Sequence, residues 1–64
     1  MIRVKEAIKI LEKRGYSTHW DKKNLILHFE HDLSDVRFDP HTEWWSIEGV
    51  TEGRGFEKLL KELW

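Results

Sequence analysis

Three lysines recur at every fourth position near the start of the chain, namely Lys5, Lys9 and Lys13. On a helix this spacing places them in one row, where each neighbouring pair repels by about 0.2–0.5 kcal/mol. Such a row can follow the phosphates of a nucleic acid, and Lys22 and Lys23 would extend it. The alternative is an ordinary solvated helix face that the intervening glutamates partly neutralise.

Aromatic side chains are the second group with binding chemistry, since the 64 residues include four Trp, three Phe and one Tyr. The predicted outer face of the sheet carries Trp44, Ile26, His28 and, depending on strand register, His19 or Trp20. Exposed aromatic side chains on a sheet stack unpaired bases at about 1–3 kcal/mol per base, and they equally form dimer or partner contacts. In a third alternative, Trp64 or a loop folds over them.

His28 and His31 form an H-x-x-H pattern, which would bind a metal if both lay on one face of a helix. Here His28 belongs to a predicted strand and His31 to the following turn, so the two side chains need not converge. The chain has no cysteine, no P-loop, no dinucleotide-binding fingerprint and no evident Ser-His-Asp pattern. We therefore expect no metal, no other cofactor and no catalysis.

A glycine-rich segment, residues 51–55 (TEGRG), directly precedes the last predicted helix. Backbone N–H groups before a helix bind anions, so Arg54 is a candidate anion-binding residue in this loop. The alternative is an ordinary flexible loop.

Two amphipathic helices are predicted to position these groups. Residues 3–14 place apolar side chains at helical spacing on one face, and Gly15 is suited to cap the helix at its C-terminus. Residues 55–63 repeat the pattern with Phe56, Leu59 and Leu63 on one face.

Four short strands are predicted between the helices, at residues 16–20, 25–30, 36–39 and 43–48, followed by a loop at residues 49–55. Leu25, Leu27 and Phe29 alternate with more polar side chains, so one face of that strand is apolar. The predicted fold is α+β in the order α-β-β-β-(β)-α, a single domain over residues 1–64. It is a small antiparallel sheet with both helices packed on one face.

Composition narrows the cellular setting and the partners. The longest uninterrupted apolar run, residues 25–27, is too short to span a membrane, and we expect a cytoplasmic protein with no membrane partner. Residues 1–24 carry seven Lys/Arg against three acids, whereas residues 25–64 carry four against nine, giving +4 and −5. The acidic second half disfavours long double-stranded nucleic acid as the partner.

A family resemblance is carried by residues 4–16 (VKEAIKILEKRGY), residues 28–31 (HFEH) and residues 36–41 (VRFDPH). These stretches resemble the first helix and the second and third strands of HicA-type mRNA interferase toxins. The resemblance implies a fold like that of double-stranded-RNA-binding domains, with RNA cleavage as the activity. That family's catalytic histidine follows a Gly-Ser pair in the second strand, and the matching residues 23–26 (KNLI) contain neither. The resemblance therefore assigns no catalytic residue.

Three hypotheses follow. The first is a small binding or regulatory module for RNA or single-stranded DNA, with the lysines on phosphates and Trp44, together with Trp20, stacking on bases. The second is a protein-interaction or inhibitor module, including a homodimer, that uses the aromatic face of the sheet. The third is a degenerate RNA-cleaving toxin in which His28 replaces the missing histidine.

Overall fold

Five antiparallel strands follow one another across the sheet in chain order, between an N-terminal and a C-terminal helix. The computed structural model describes residues 2–63. The elements are α1 (Val4–Lys13), β1 (His19–Asp21), β2 (Ile26–His31), β3 (Ser34–Phe38), β4 (Trp44–Ile47), β5 (Thr51–Arg54) and α2 (Phe56–Glu62). This confirms the predicted α+β class, the antiparallel sheet and the two terminal helices.

The core lies on one face of the sheet. Strand alternation turns Leu27, Val36 and Trp45 to that face, and both helices bury side chains in the same cluster. The buried side chains are Ala7, Leu11, Leu27, Phe29, Val36, Phe38, Trp45, Ile47, Phe56, Leu59 and Leu63. Both helices therefore pack on one face, as predicted. No helix within residues 2–63 lies on the opposite face of the sheet, here called the uncovered face.

The prediction of a loop at residues 49–55 is wrong, because Thr51–Arg54 forms β5 and pairs with β4. Gly53 lies directly opposite Trp45, and a β-carbon at Gly53 would stand 2.7 Å from Cζ2 of that indole. A glycine inside a strand can mark a close approach by another group, and here it makes room for a core side chain.

Tyr16 is not the first strand residue, and β1 is shorter than predicted. The Gly15 N–H donates to the Glu12 carbonyl and the Tyr16 N–H to the Leu11 carbonyl, at 3.0 and 3.1 Å. Gly15 has φ +95°, so these bonds form a Schellman motif that ends α1. This confirms Gly15 as the helix cap and assigns Tyr16 to the end of the helix.

The turn between β2 and β3 contains only Asp32 and Leu33, with φ values of 50° and 67°. Two positive φ values between paired strands define a type I′ turn, which favours Asn, Asp or Gly. Leu33 is 97% exposed there, so its side chain gains no packing in return for the strained backbone.

Within residues 2–63, neither helix is long and apolar enough to cross a membrane.

Candidate functional site

The uncovered face is organised by the strand register into a row that crosses all five strands. His19, His28, Arg37, Ser46 and Glu52 each lie directly opposite the next residue of the row. On the same face, Trp44 lies opposite Arg54 and Ile26 lies opposite Asp21. The face therefore combines one tryptophan, two arginines and two histidines.

The register also decides between His19 and Trp20. Trp20 pairs with Leu27, and Leu27 pairs with Phe38, so Trp20 belongs to the helix-covered side of the sheet. It packs half-buried at the border of the core. Trp44, Ile26 and His28 lie on the uncovered face, joined by His19 rather than Trp20. The alternative in which Trp64 covers these side chains lies outside the described residues.

His28 is the centre of the cross-strand row. Its ring centroid is 6.5 Å from that of His19 on β1, and Arg37 lies opposite it on β3. The Arg37 side chain is 56% exposed, and its Nε lies 3.4 Å from Oδ2 of Asp35. The row thus places three nitrogen-bearing side chains on adjacent strands, about 4.8 Å apart.

His28 and His31 both belong to β2, so the expectation that His31 lies in the following turn is wrong, and the two side chains lie on opposite faces of the sheet. His31 lies on the helix-covered side, where its Nδ1 is 2.7 Å from the Tyr16 hydroxyl. Burial raises the pKa of Tyr16, and the positive charge of Arg14 opposes this shift only in part. Within residues 2–63, no group of three or more His, Cys, Asp or Glu side chains is arranged to hold a metal ion.

The helix lysines and Trp44 are not brought together. Lys5, Lys9 and Lys13 are exposed, and they lie on the side of α1 opposite the buried Ala7 and Leu11. Because α1 covers the other face of the sheet, the lysine row and the uncovered face are on opposite sides of the molecule. A ligand as small as a few nucleotides cannot contact both.

Lys22 and Lys23 lie in the exposed turn between β1 and β2, at one end of the sheet. The Asp21 carboxylate holds this turn by accepting hydrogen bonds from the Asn24 side chain and from the backbone N–H groups of Asn24 and Lys23. These bonds from Asn24 and Lys23 lower the pKa of Asp21. The turn is therefore ordered, and it is the part of the predicted basic surface that lies nearest to the uncovered face.

The predicted anion-binding loop before α2 is replaced by a strand and an internal cap. Arg54 is the last residue of β5 and lies on the uncovered face opposite Trp44. The Phe56 N–H at the start of α2 donates to Oε1 of Glu43 at 3.0 Å. A carboxylate of the chain itself therefore occupies the position expected for an anion. No local sequence signal identifies Glu43, because it lies thirteen residues before Phe56.

A cleft of about 350 Å³ opens on the helix-covered side, between the start of α1 and the turn after β1. Trp20, Leu25 and Pro40 supply much of its apolar lining. Leu25 is 59% exposed and has a φ of 57°. The sequence identified Trp20 as a candidate but gave no indication of the cleft, which depends on the contact between Ile2 and Pro40.

No protein-family model, curated protein or solved structure matches this chain. The function of the chain is therefore inferred from the arrangement of its side chains.

Proposed function

We propose that the protein is a non-catalytic module that binds single-stranded nucleic acid on the uncovered face of its sheet. The observation that carries the proposal is the position of Trp44 on that face, directly opposite Arg54 and beside the row that contains His28 and Arg37. Antiparallel sheets that bind RNA use this combination of an aromatic platform and neighbouring basic groups.

Trp44 supplies the stacking surface in this proposal. Its side chain is half-buried, so part of it faces solvent while the rest packs against the sheet. Stacking on an aromatic side chain accepts any base, because every base has a flat face. Arg54 and Arg37 are exposed nearby and offer planar guanidinium groups to phosphates or bases.

Acidic side chains limit the length of nucleic acid that the uncovered face can bind. Glu30 lies opposite Asp35 near the turn between β2 and β3, and Glu52 ends the cross-strand row on β5. These carboxylates repel phosphates both near the turn between β2 and β3 and at the β5 edge of the sheet. We therefore expect a contact with about two or three bases, as on other sheets of this size, rather than a long duplex.

The proposal is tested by fluorescence anisotropy of a labelled single-stranded RNA titrated with protein at low and moderate salt. Trp44→Ala should weaken binding roughly 5- to 150-fold, the range that corresponds to one stacked base. The control combines Lys5→Gln, Lys9→Gln and Lys13→Gln on the opposite side, and it should retain most of the affinity. Absence of binding at low salt would end the proposal, and a loss confined to the lysine variant would move the site to α1.

A second candidate function is the binding of a protein partner or of a second copy of the chain. The cleft beside Trp20 favours it, because Leu25 stays largely exposed at the rim of an apolar surface. Light scattering tests the self-association form. Leu25→Asn, which suits the positive φ and removes the apolar side chain, should dissociate any dimer, whereas a wild-type protein that stays monomeric at high concentration would count against this form.

RNA cleavage, with His28 in place of the family's histidine, is a third proposal and rests on the resemblance alone. It predicts that expression of the protein arrests growth and that His28→Ala relieves the arrest. Harmless expression of the wild-type chain would dismiss it.

A further inference from the structure

We propose that His19, His28 and Arg37 form a phosphate-binding row whose affinity increases as the pH falls from about 8 to about 5. This inference rests on the proposed function, since the phosphate is taken to belong to a single strand bound on the uncovered face. It adds a dependence on proton concentration and assigns the phosphate to particular side chains.

The geometry of the row suits a phosphate. His28 lies opposite His19 on one side and Arg37 on the other, so three basic side chains project from adjacent strands. Neighbouring strands are about 4.8 Å apart, so a phosphate above His28 lies within reach of both neighbours. His19 and Arg37 are exposed, and His28 between them is half-buried.

The charge of the row depends on its two histidines. Histidine changes its charge between about pH 5 and pH 8, whereas carboxylates and arginine keep theirs over most of that range. Protonation of His19 and His28 beside Arg37 places like charges directly opposite one another, which is unfavourable in the free protein. A bound phosphate offsets that repulsion, so phosphate binding and proton binding favour each other.

The other charged groups around the row determine its net charge while both histidines are neutral. On the uncovered face, Asp21 flanks His19 on β1, Glu30 flanks His28 on β2, and Asp35 flanks Arg37 on β3. On the far side of Arg37, β4 contributes only the uncharged Ser46. With neutral histidines, the carboxylates outnumber the single arginine, so the row holds phosphate weakly. Two added positive charges bring the count to three positive against three negative, which removes this excess of negative charge.

The other histidines provide internal controls. His31 lies on the helix-covered side against Tyr16. His41 is exposed in the turn between β3 and β4, away from the row, and its backbone N–H donates to Asp39. Replacing His41 removes one exposed histidine from the protein without changing the row.

The experiment measures anisotropy at about pH 5.5 and 7.5, at constant ionic strength, with two labelled single-stranded probes. One is a DNA oligonucleotide, and the other is an abasic strand of the same length that keeps the phosphates and lacks the bases. Wild-type protein should bind both probes roughly 2- to 30-fold more tightly at the lower pH, as expected for two additional exposed charge pairs. His19→Gln combined with His28→Gln should abolish this ratio, and His41→Gln should retain it.

The single variant His19→Gln, at the exposed edge of the sheet, should reduce the ratio to an intermediate value. If circular dichroism shows that the double variant is unfolded, this single variant replaces it as the test. A ratio that survives the histidine replacements in the row, or that disappears with His41→Gln, overturns the inference. Binding that needs Trp44 but is independent of pH leaves the proposed function standing without this inference, whereas no binding to either probe at either pH removes both.

Discussion

The indole of Trp45 lies so close to Gly53 on the neighbouring strand that a β-carbon at Gly53 would stand 2.7 Å from its Cζ2 atom. The same indole donates its Nε1–H to the Gly55 carbonyl at 3.0 Å. One buried side chain therefore fixes β5 to the sheet and also fixes the residue at which α2 begins. Arg54, between the two glycines, is held on the uncovered face by this contact.

Gly53→Ala should destabilise the fold by about 1–3 kcal/mol, because the added methyl group forces the buried indole or β5 to move. Urea denaturation followed by tryptophan fluorescence measures the change. The exposed neighbour Glu52→Ala is the matched control and should stay within about 0.5 kcal/mol of wild type. If Gly53→Ala were as stable as wild type, the close approach of Trp45 would be wrong.

Leu33→Gly should stabilise the fold by about 0.5–1 kcal/mol. An L-residue in the left-handed region costs about 1–2 kcal/mol, and glycine removes this strain at a smaller loss of chain entropy. Thermal unfolding measures the change. Val50→Gly, in an exposed turn where φ is not positive, should give no such gain, and equal effects of the two substitutions would argue against the type I′ turn.

Glu43 should make stability depend on pH in the acid range. The chain's terminal amino group and the Phe56 N–H hold the pKa of Glu43 below its ordinary value. A carboxyl group whose pKa is lowered by folding stabilises the protein above the unfolded pKa, and this contribution is lost as the pH falls through the folded pKa. Glu43→Gln should therefore be less stable than wild type at pH 7.

The difference between wild type and Glu43→Gln should shrink as the pH falls from about 5 to about 2, below the ordinary range for glutamate. Urea denaturation at a series of pH values measures it, with Glu48→Gln as the exposed control. A difference that stays constant across that range would show that the charge of Glu43 does not stabilise the start of α2.

Lys9→Gln tests whether the lysine row on α1 contributes to RNA binding or only to the stability of the helix. Removing the middle charge of the lysine row relieves two like-charge pairs, with Lys5 and Lys13. It also loses two opposite-charge pairs, with Glu6 and Glu12, so the free energy of unfolding should change by less than about 0.5 kcal/mol. RNA affinity should change far less than with Trp44→Ala, because Lys9 lies on the opposite side of the molecule. A comparable loss of affinity from both variants would indicate that RNA contacts α1 as well.

The strands of the core could be predicted because their apolar residues alternate, as Leu27 and Phe29 do in β2 and Val36 and Phe38 do in β3. β5 could not be recognised in this way. Its four residues have no apolar alternation, and the group that fixes Gly53 belongs to β4. The position of Trp20 required the register of β1 with β2, since a shift by one residue exchanges the two faces of a strand.

The separation of the lysine row from Trp44 already followed from the predicted architecture. If both helices cover one face of the sheet, a solvent-facing row on α1 must lie on the far side from the other face. The hypothesis that joined Lys9 and Trp44 in a single nucleic-acid site was therefore inconsistent with the predicted fold. By contrast, the capping of α2 by Glu43 is a contact between distant parts of the chain that no periodicity reveals.

The chain-order arrangement of the sheet has a kinetic consequence. Each strand pairs with the strand that precedes or follows it, so every hairpin closes a short segment of chain. Folds with such local contacts lose little entropy before their first contacts form, and this domain should refold on the order of milliseconds or faster. Stopped-flow refolding from urea measures the rate, and a dominant phase lasting seconds would show that a slower, non-local step limits assembly.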